Sequence, residues 1–536
     1  MAIIHGVQRC VCEWSYTAAL QTANPFRDVD LDVVFTHQDG QTWTVPAFWS
    51  AGQTWRLRFA PPLAGHYTFH SVCSNASDTG LNGQAGELIA AAYEGNHPLY
   101  SHGPVRVSAD QRHFAHEDGT PFFWLADTWW MGFTKRLTWP GDFQTLAADR
   151  LAKGFTTVQI VAGMYPDMDW YDPRGANEAG FPYDRELTCI NSAWYDMADL
   201  KIQYMVHVGL MPCIVGCWGY FLSWIGTERM KKHWRYVIAR WSAYPVVWCL
   251  AGEGTMPYYL SRTPEQDAAI QQEGWTEMGR YVRKADPMHR LITIHAGGNG
   301  VGRDNVNDDN VLDFDLLQTS HGGYRDAPHM LELVTSQVAR TPAKPVIDGE
   351  ANYEGIGYGN YDEVQRLTFW ACMLSGTAGH TYGANGIWQV NTREKPYGPS
   401  PHGNTWGNRP WDVAMHLPGS FQMGVGKRLL QRFRWWEFKP HQEWVNPAAT
   451  VENPWLHYAA GIPGEVRVIY MHGEVWGCKV RVQHIEADAH YSAFFVNPAT
   501  GEEHMLGDVV AEADHSWLVP QQPELHDWLL VLERMG

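Results

Sequence analysis

Pro245-Val-Val-Trp-Cys-Leu-Ala-Gly-Glu253 is a mostly apolar run without polar alternation, then two small residues, then a lone carboxylate. Such a run predicts a strand buried on both faces, and a carboxylate at its C-terminal end is where an (α/β) barrel carries its chemistry. Lys344-Pro-Val-Ile-Asp-Gly-Glu350 repeats the pattern downstream, again ending in Gly-Glu. Two carboxylates on two strand ends of one barrel point to hydrolysis of a glycosidic bond.

Outward from these runs, strands alternate with amphipathic helices from about Pro104 to Trp436, the signature of a parallel α/β fold. Eight strands are predicted at Phe122–Asp127, Thr156–Val161, Met211–Gly216, the Pro245 run, Leu291–His295, Phe314–Gln318, Pro345–Ile347 and Gly379–Tyr382. Helical patterns cover Phe143–Lys153, Asn191–Val208, Thr227–Ser242 and Gly419–Arg434. The fold class is α/β, a central (β/α)₈ TIM barrel over residues 109–436. Residues 1–108 read as an N-terminal β-sandwich, with alternating strands such as Leu31-Asp-Val-Val-Phe-Thr and Thr54-Trp-Arg-Leu-Arg-Phe and no helix before the boundary. Residues 437–536 read as a small C-terminal β-sandwich, from runs such as Glu465-Val-Arg-Val-Ile-Tyr and Leu529-Leu-Val-Leu-Glu533.

The bulk numbers narrow the partners. A formal net charge of −18 argues against nucleic acid and anionic membranes, and no run approaches the ~18 apolar residues of a membrane span. The 27 Trp and 24 Tyr suit a carbohydrate partner, because flat rings cover the apolar C–H faces of sugars; the same rings also fill cores. Nine scattered Cys without CxxC spacing fit reduced thiols better than a disulfide frame or a zinc site. Met1-Ala-Ile-Ile-His-Gly lacks the basic and apolar regions of a secretory signal, so a cytoplasmic location is expected.

Glycoside hydrolysis needs one carboxyl that protonates the leaving oxygen and a second that attacks the anomeric carbon or activates water. Glu253 and Glu350 are the candidates, facing each other across the barrel mouth. Asp348 and Glu354 compete with Glu350. With period two, Asp348 falls on the same side but deeper and with shorter reach, and Glu354 sits further into the loop. Asp127-Thr-Trp129-Trp130 reads either as a sugar-binding wall or as a helix cap followed by core tryptophans. Gln159, Trp218, His295, Gln318, His321, Tyr353, Tyr382 and Trp388 fall near or beyond strand ends, and about half should line the pocket. A loop of the N-terminal sandwich is a further candidate for closing it.

Phe123-Trp-Leu-Ala-Asp-Thr-Trp-Trp130, Gly154-Phe-Thr-Thr-Val-Gln159, Trp248-Cys-Leu-Ala-Gly-Glu253, Lys344-Pro-Val-Ile-Asp-Gly-Glu-Ala-Asn-Tyr-Glu-Gly355 and Gly379-His-Thr-Tyr-Gly-Ala-Asn-Gly-Ile-Trp388 together resemble the apiosidase-like glycoside hydrolases. Pro61-Pro-Leu-Ala-Gly-His-Tyr-Thr-Phe69 is similar to a signature of the β-sandwich modules attached to such enzymes. The resemblance implies a retaining barrel with an acid/base after the fourth strand, matching Glu253, and a nucleophile after the seventh, matching Glu350. Two departures stand out. Glu253 occupies a position often held by Asp, carrying its carboxyl ~1.5 Å further, and Gly252 precedes it where the wider clan often has Asn.

Two rivals remain open. A metal-dependent barrel hydrolase would draw on the 25 His, but the first strand has no His-x-His and neither glutamate lies in HExxH. A non-catalytic carbohydrate-binding barrel would keep the pocket without turnover. A polysaccharide lyase would want a basic cluster, and none stands out. The expectation is a retaining, exo-acting glycosidase for an apiose-like pentose or related glycoside. It would need no cofactor and no metal, and the sequence leaves self-association into a homo-oligomer open.

Overall fold

The structure is a computed structural model that describes residues 2–319, 321–473 and 479–535. Eight parallel strands form one sheet: β1 (Trp124–Thr128), β2 (Thr157–Val161), β3 (Met211–Val215), β4 (Val247–Cys249), β5 (Ile292–Thr293), β6 (Asp315–Gln318), β7 (Val346–Glu350) and β8 (Gly379–Tyr382). β1 pairs with β8, and a single parallel bridge between His295 and Leu316 joins β5 to β6 and closes the barrel. Every residue of these strands is buried, as expected of strands covered by side chains inside and by helices outside.

The longer helices around the barrel are α1 (Gly141–Ala152), α2 (Ser192–Val208), α3 (Thr227–Trp241), α4 (Pro264–Ala285), α5 (Ala327–Ala339), α6 (Asp362–Leu374) and α7 (Pro418–Leu430). Between β5 and β6 the chain makes only 3₁₀ turns at Gly302–Asn305 and Asp309–Val311. That stretch is rich in Gly, Asn and Asp and has no apolar stripe to dock as a helix. β4 is shorter than its apolar run predicts. Its ladder ends at Cys249, and the chain continues through buried Leu250 and Ala251 to Gly252, which bridges to Trp218.

A hairpin-like sheet of Val105–Val107, Phe114–His116 and Pro121–Phe122 lies under the barrel, where Phe114 meets the rings of Trp124 and Phe314 and plugs the N-terminal end. The open end is therefore the C-terminal one, where Glu253 and Glu350 sit.

The N-terminal residues form a five-stranded sheet and a three-stranded sheet around a core that includes Leu31, Val33, Phe35, Leu57, Phe59 and Leu88. Contrary to the all-β expectation, one-turn helices stand at Pro25–Asp28 and Pro98–Ser101, each with Pro at its first position, where the missing N–H costs nothing. The C-terminal residues form a six-stranded and a three-stranded sheet. Strand alternation divides the larger sheet cleanly: Tyr458, Val468, Tyr470, Leu529 and Val531 join the barrel's core, whereas Ala459, Ile469, Leu530 and Leu532 face a core of their own.

Buried ion pairs tie these layers to the barrel. Arg58 of the N-terminal sandwich reaches Asp199 of α2 at 2.6 Å, and Arg240 of α3 reaches the same carboxylate at 2.7 Å. Trp241 Nε1 donates to its other oxygen at 2.7 Å. On the far side Arg366 of α6 holds Asp527 through two bonds of 2.7 and 2.8 Å. Removing one member leaves buried charges unpaired, which costs far more than the pair itself contributes. Asp199→Ala removes the one carboxylate that Arg58 and Arg240 share, leaving Arg58 with Glu13 and Arg240 with Asp196, and should lower stability by ~3 kcal/mol; an unchanged urea midpoint would contradict this account of the interface.

Candidate active site

Glu253 reaches the barrel mouth through an unusual backbone. Its φ is +45°, the left-handed region that a non-glycine residue enters only when its surroundings hold it there. The hold is visible on both sides: Gly252 N–H donates to Cys217 O at 2.9 Å, and Gly254 N–H donates to His295 O at 3.0 Å. Gly252 has its own reason. A Cβ there would lie 2.3 Å from the ring carbons of Trp218, so only glycine lets that indole lie flat on the chain. The same indole donates from Nε1 to Glu253 Oε2 at 3.0 Å.

Glu350 ends β7 beyond an irregularity. Leu317 pairs with Asp348, but the next residue, Gln318, pairs with Glu350, so Gly349 is an extra residue in the strand. Gln159, from β2, donates to the freed Gly349 carbonyl at 2.7 Å. The bulge corrects the period-two expectation for Asp348. Its carboxyl accepts from Thr319 Oγ1 at 3.0 Å and lies 3.6 Å from Cys372 Sγ on α6, so it is turned into the barrel wall. Glu350 faces the mouth.

The two glutamates meet over Gln318, whose Nε2 lies 3.3 Å from Glu253 Oε1 and 3.2 Å from Glu350 Oε1. His321 Nε2 lies 2.9 Å from Glu350 Oε1, and His295 Nε2 lies 3.0 Å from Oε2. These surroundings push the two carboxyls apart. Burial, with the negative Glu350 beside it, raises Glu253 to about 7. Burial pushes Glu350 the same way, but bonding and attraction to His295 and His321 overcome it and hold Glu350 well below the ordinary carboxylate range. Near neutrality Glu253 can thus carry a proton while Glu350 stays ionised.

Both open into a cavity of about 240 Å³ lined also by Trp130, Trp218, Gln318, His321, Tyr353 and Trp388. Tyr353 is a crossroads: Trp130 Nε1 donates to its hydroxyl at 3.0 Å, and its ring meets His321 at 4.5 Å. A Cβ at Gly383 would strike that ring at 2.1 Å.

Several sequence candidates lie outside the cavity. Asp127 is fully buried and bonded to Arg150 Nε at 2.5 Å, Trp129 Nε1 at 2.7 Å and the Thr128 N–H at 2.9 Å, so its oxygens are committed to the core. Trp129 follows it inward. Gln159 supports the bulge from below, and His295 stands behind Glu350. Tyr382 donates its hydroxyl to Glu354 at 2.5 Å, and burial raises that carboxyl to about 7. Both are sealed between β8 and α7, where the Gly419 N–H also meets Glu354. Among the described residues, the N-terminal sandwich contributes none to the lining.

The sequence reading missed Asp167, Met256, Tyr259, His402 and Trp406, all of which line the cavity. They come from the long segments after β2, β4 and β8, where no periodicity or motif marks one residue above another. Among the described residues, the one group with metal-ligating atoms in mutual reach is Asp348, Cys372 and His380; it is buried in the wall and does not line the cavity.

The chain matches the family described as apiosidase-like, catalytic domain, over residues 108–437, and a domain of unknown function, DUF5060, over residues 10–74. Among solved structures, a glycoside hydrolase aligns with a TM-score of 0.67 at 22% identity, covering 82% of this chain and 98% of its own. A family 5 glycoside hydrolase from Bacteroides vulgatus gives 0.67 at 21%, covering 82% and 94%. A second Bacteroides vulgatus protein assigned to the glycoside hydrolases covers both chains completely, at 0.70 and 15%. Among curated proteins none matches. Because the Trp218 N–H stabilises ionised Glu253, Trp218→Phe should move that carboxyl upward from about 7. Infrared titration of the carboxyl stretch reads the shift, and a downward move would contradict the geometry.

Proposed function

The chain belongs to the apiosidase-like glycoside hydrolases, and on that footing we propose that it releases a terminal sugar with retention of configuration, Glu350 acting as nucleophile and Glu253 as acid/base. The observation that carries the reading is the opposite tuning of two carboxyls in one cavity, the arrangement by which a pair of like groups divides acid from nucleophile.

In the first step Glu350 attacks the anomeric carbon while the bond to the leaving oxygen breaks and Glu253 delivers its proton to that oxygen. A glycosyl ester on Glu350 results. In the second step Glu253, now ionised, takes a proton from water as the water oxygen attacks the same carbon, and Glu350 leaves. The pH dependence has a definite sign. The acid form of Glu253 is depleted as pH rises through about 7, so the first step slows on the alkaline side, while Glu350 stays ionised over the working range.

Retention is supported by the spacing. One amide nitrogen, that of Gln318, lies 3.3 Å from Glu253 Oε1 and 3.2 Å from Glu350 Oε1, so the two carboxyls are close enough to share a donor. Retaining pairs stand about 5–5.5 Å apart, and inverting pairs need about 6.5–9.5 Å to admit water. Exo action is supported by size: a cavity of about 240 Å³ lies under the ~300–1,000 Å³ of pockets for larger ligands and suits one ring. A pentose such as apiose, with a glycan or small aglycone outside, is the substrate class proposed.

Glu350→Ala tested on a panel of aryl pentosides and hexosides, apiosides included, should lose turnover and regain it with azide, giving a glycosyl azide of configuration opposite to the substrate. Wild-type turnover without any azide rescue would move the nucleophile elsewhere.

A further inference from the structure

Asp167 is a third carboxylate in the cavity, and neither step above uses it. It lies in the long segment after β2, is 7% exposed, and has φ +55°. Its conformation is held from several sides. The Asp167 N–H donates to Tyr259 Oη at 3.1 Å, and Tyr259 stacks on His402 with ring centres 5.0 Å apart and planes within 8°. Arg174 Nη2 reaches the Asp167 carbonyl at 3.4 Å.

The cation nearby is spoken for. Arg174 gives Nη2 to Asp172 Oδ2 at 2.8 Å and Nη1 to Tyr397 O at 3.0 Å, and it does not line the cavity. No Lys or Arg lines it among the described residues. Of the two imidazoles present, His321 is engaged by Glu350, and His402 has both ring nitrogens engaged, by Ser400 Oγ at 3.0 Å and Asn404 Nδ2 at 2.7 Å. Burial raises the Asp167 carboxyl, and a hydrogen bond with Tyr259 opposes that rise. The Trp406 indole N–H is buried and makes no hydrogen bond of ordinary geometry to the protein, as is true of Trp388 Nε1 and Gln318 Oε1.

The cavity therefore offers unspent donors, an unspent acceptor and a fixed acidic group, with no Lys or Arg among the described lining residues to neutralise an anion. A sugar hydroxyl can donate to Asp167 while accepting from an indole N–H, whereas a ring carboxylate or sulfate would face three carboxyls with no Lys or Arg to pair it and with His321 already engaged by Glu350. We propose that Asp167 selects the glycone, accepting hydroxyl hydrogens of an uncharged sugar ring and turning away uronic and sulfated sugars. This deepens the glycosidase reading of the same cavity and rests on it.

The test needs no turnover, so it stays separate from the azide experiment. Quenching of the cavity tryptophans is titrated with neutral pentoses and hexoses, the matching uronic acids and amino sugars, using wild type and Asp167→Asn. A neutral sugar should bind the wild type at least tenfold more tightly than its uronic acid. Losing a bond to a charged acceptor should weaken that sugar by about 10- to 150-fold in Asp167→Asn. The uronic acid should move the other way and bind the variant better. A merely structural effect of the variant would weaken both alike, and that result overturns the proposal. Tyr259→Phe, which disturbs the loop but keeps the carboxylate, should preserve the neutral-over-acidic preference. Wild-type preference for an acidic or amino sugar, unchanged neutral affinity in Asp167→Asn, or no sugar binding at all would also overturn it.

Discussion

The pair of imidazoles on Glu350 is the interaction on which the rest of the site depends. A buried carboxylate alone would take up a proton, and two side by side would share one. His295 and His321 meet both oxygens of Glu350 and hold its charge in place, and that charge, added to burial, keeps the proton on Glu253. Without the imidazoles the two carboxyls would be alike and the division between acid and nucleophile would be lost. His295 is itself raised by this arrangement, burial opposing its charge and Glu350 favouring it, so the stabilisation is mutual.

Much of the barrel serves to present these few atoms. The bulge at Gly349 turns Glu350 into the mouth and Asp348 into the wall, and Gln159 satisfies the carbonyl that the bulge exposes. Gly252 removes a side chain so that Trp218 can lie against the strand end and point its N–H at Glu253. Strain at Glu253 is stored where the surrounding hydrogen bonds can hold it.

The sequence made the barrel legible because its strands are continuous apolar runs and its helices carry one apolar stripe, two patterns that local chemistry writes plainly. Glu253 and Glu350 were legible as lone carboxylates after such runs. Asp127 stayed open between a sugar contact and a helix cap, and proves to be neither: a carboxylate at a strand end looks identical in sequence whether it meets a ligand or, as here, a buried Arg150. The outward turn of Asp348 depends on a bulge, which alternation alone does not announce. Asp167, Tyr259 and Trp406 lie in irregular segments whose course is set by tertiary contacts such as the Tyr259–His402 stack, so nothing local distinguished them.

The central claim is double displacement at a close carboxyl pair. Proton NMR of the anomeric signal during the first minutes of hydrolysis tests it directly, before mutarotation equilibrates the product. The account predicts that the first sugar released carries the anomeric configuration of the substrate. Release of the opposite anomer would show a single displacement by water and would contradict it.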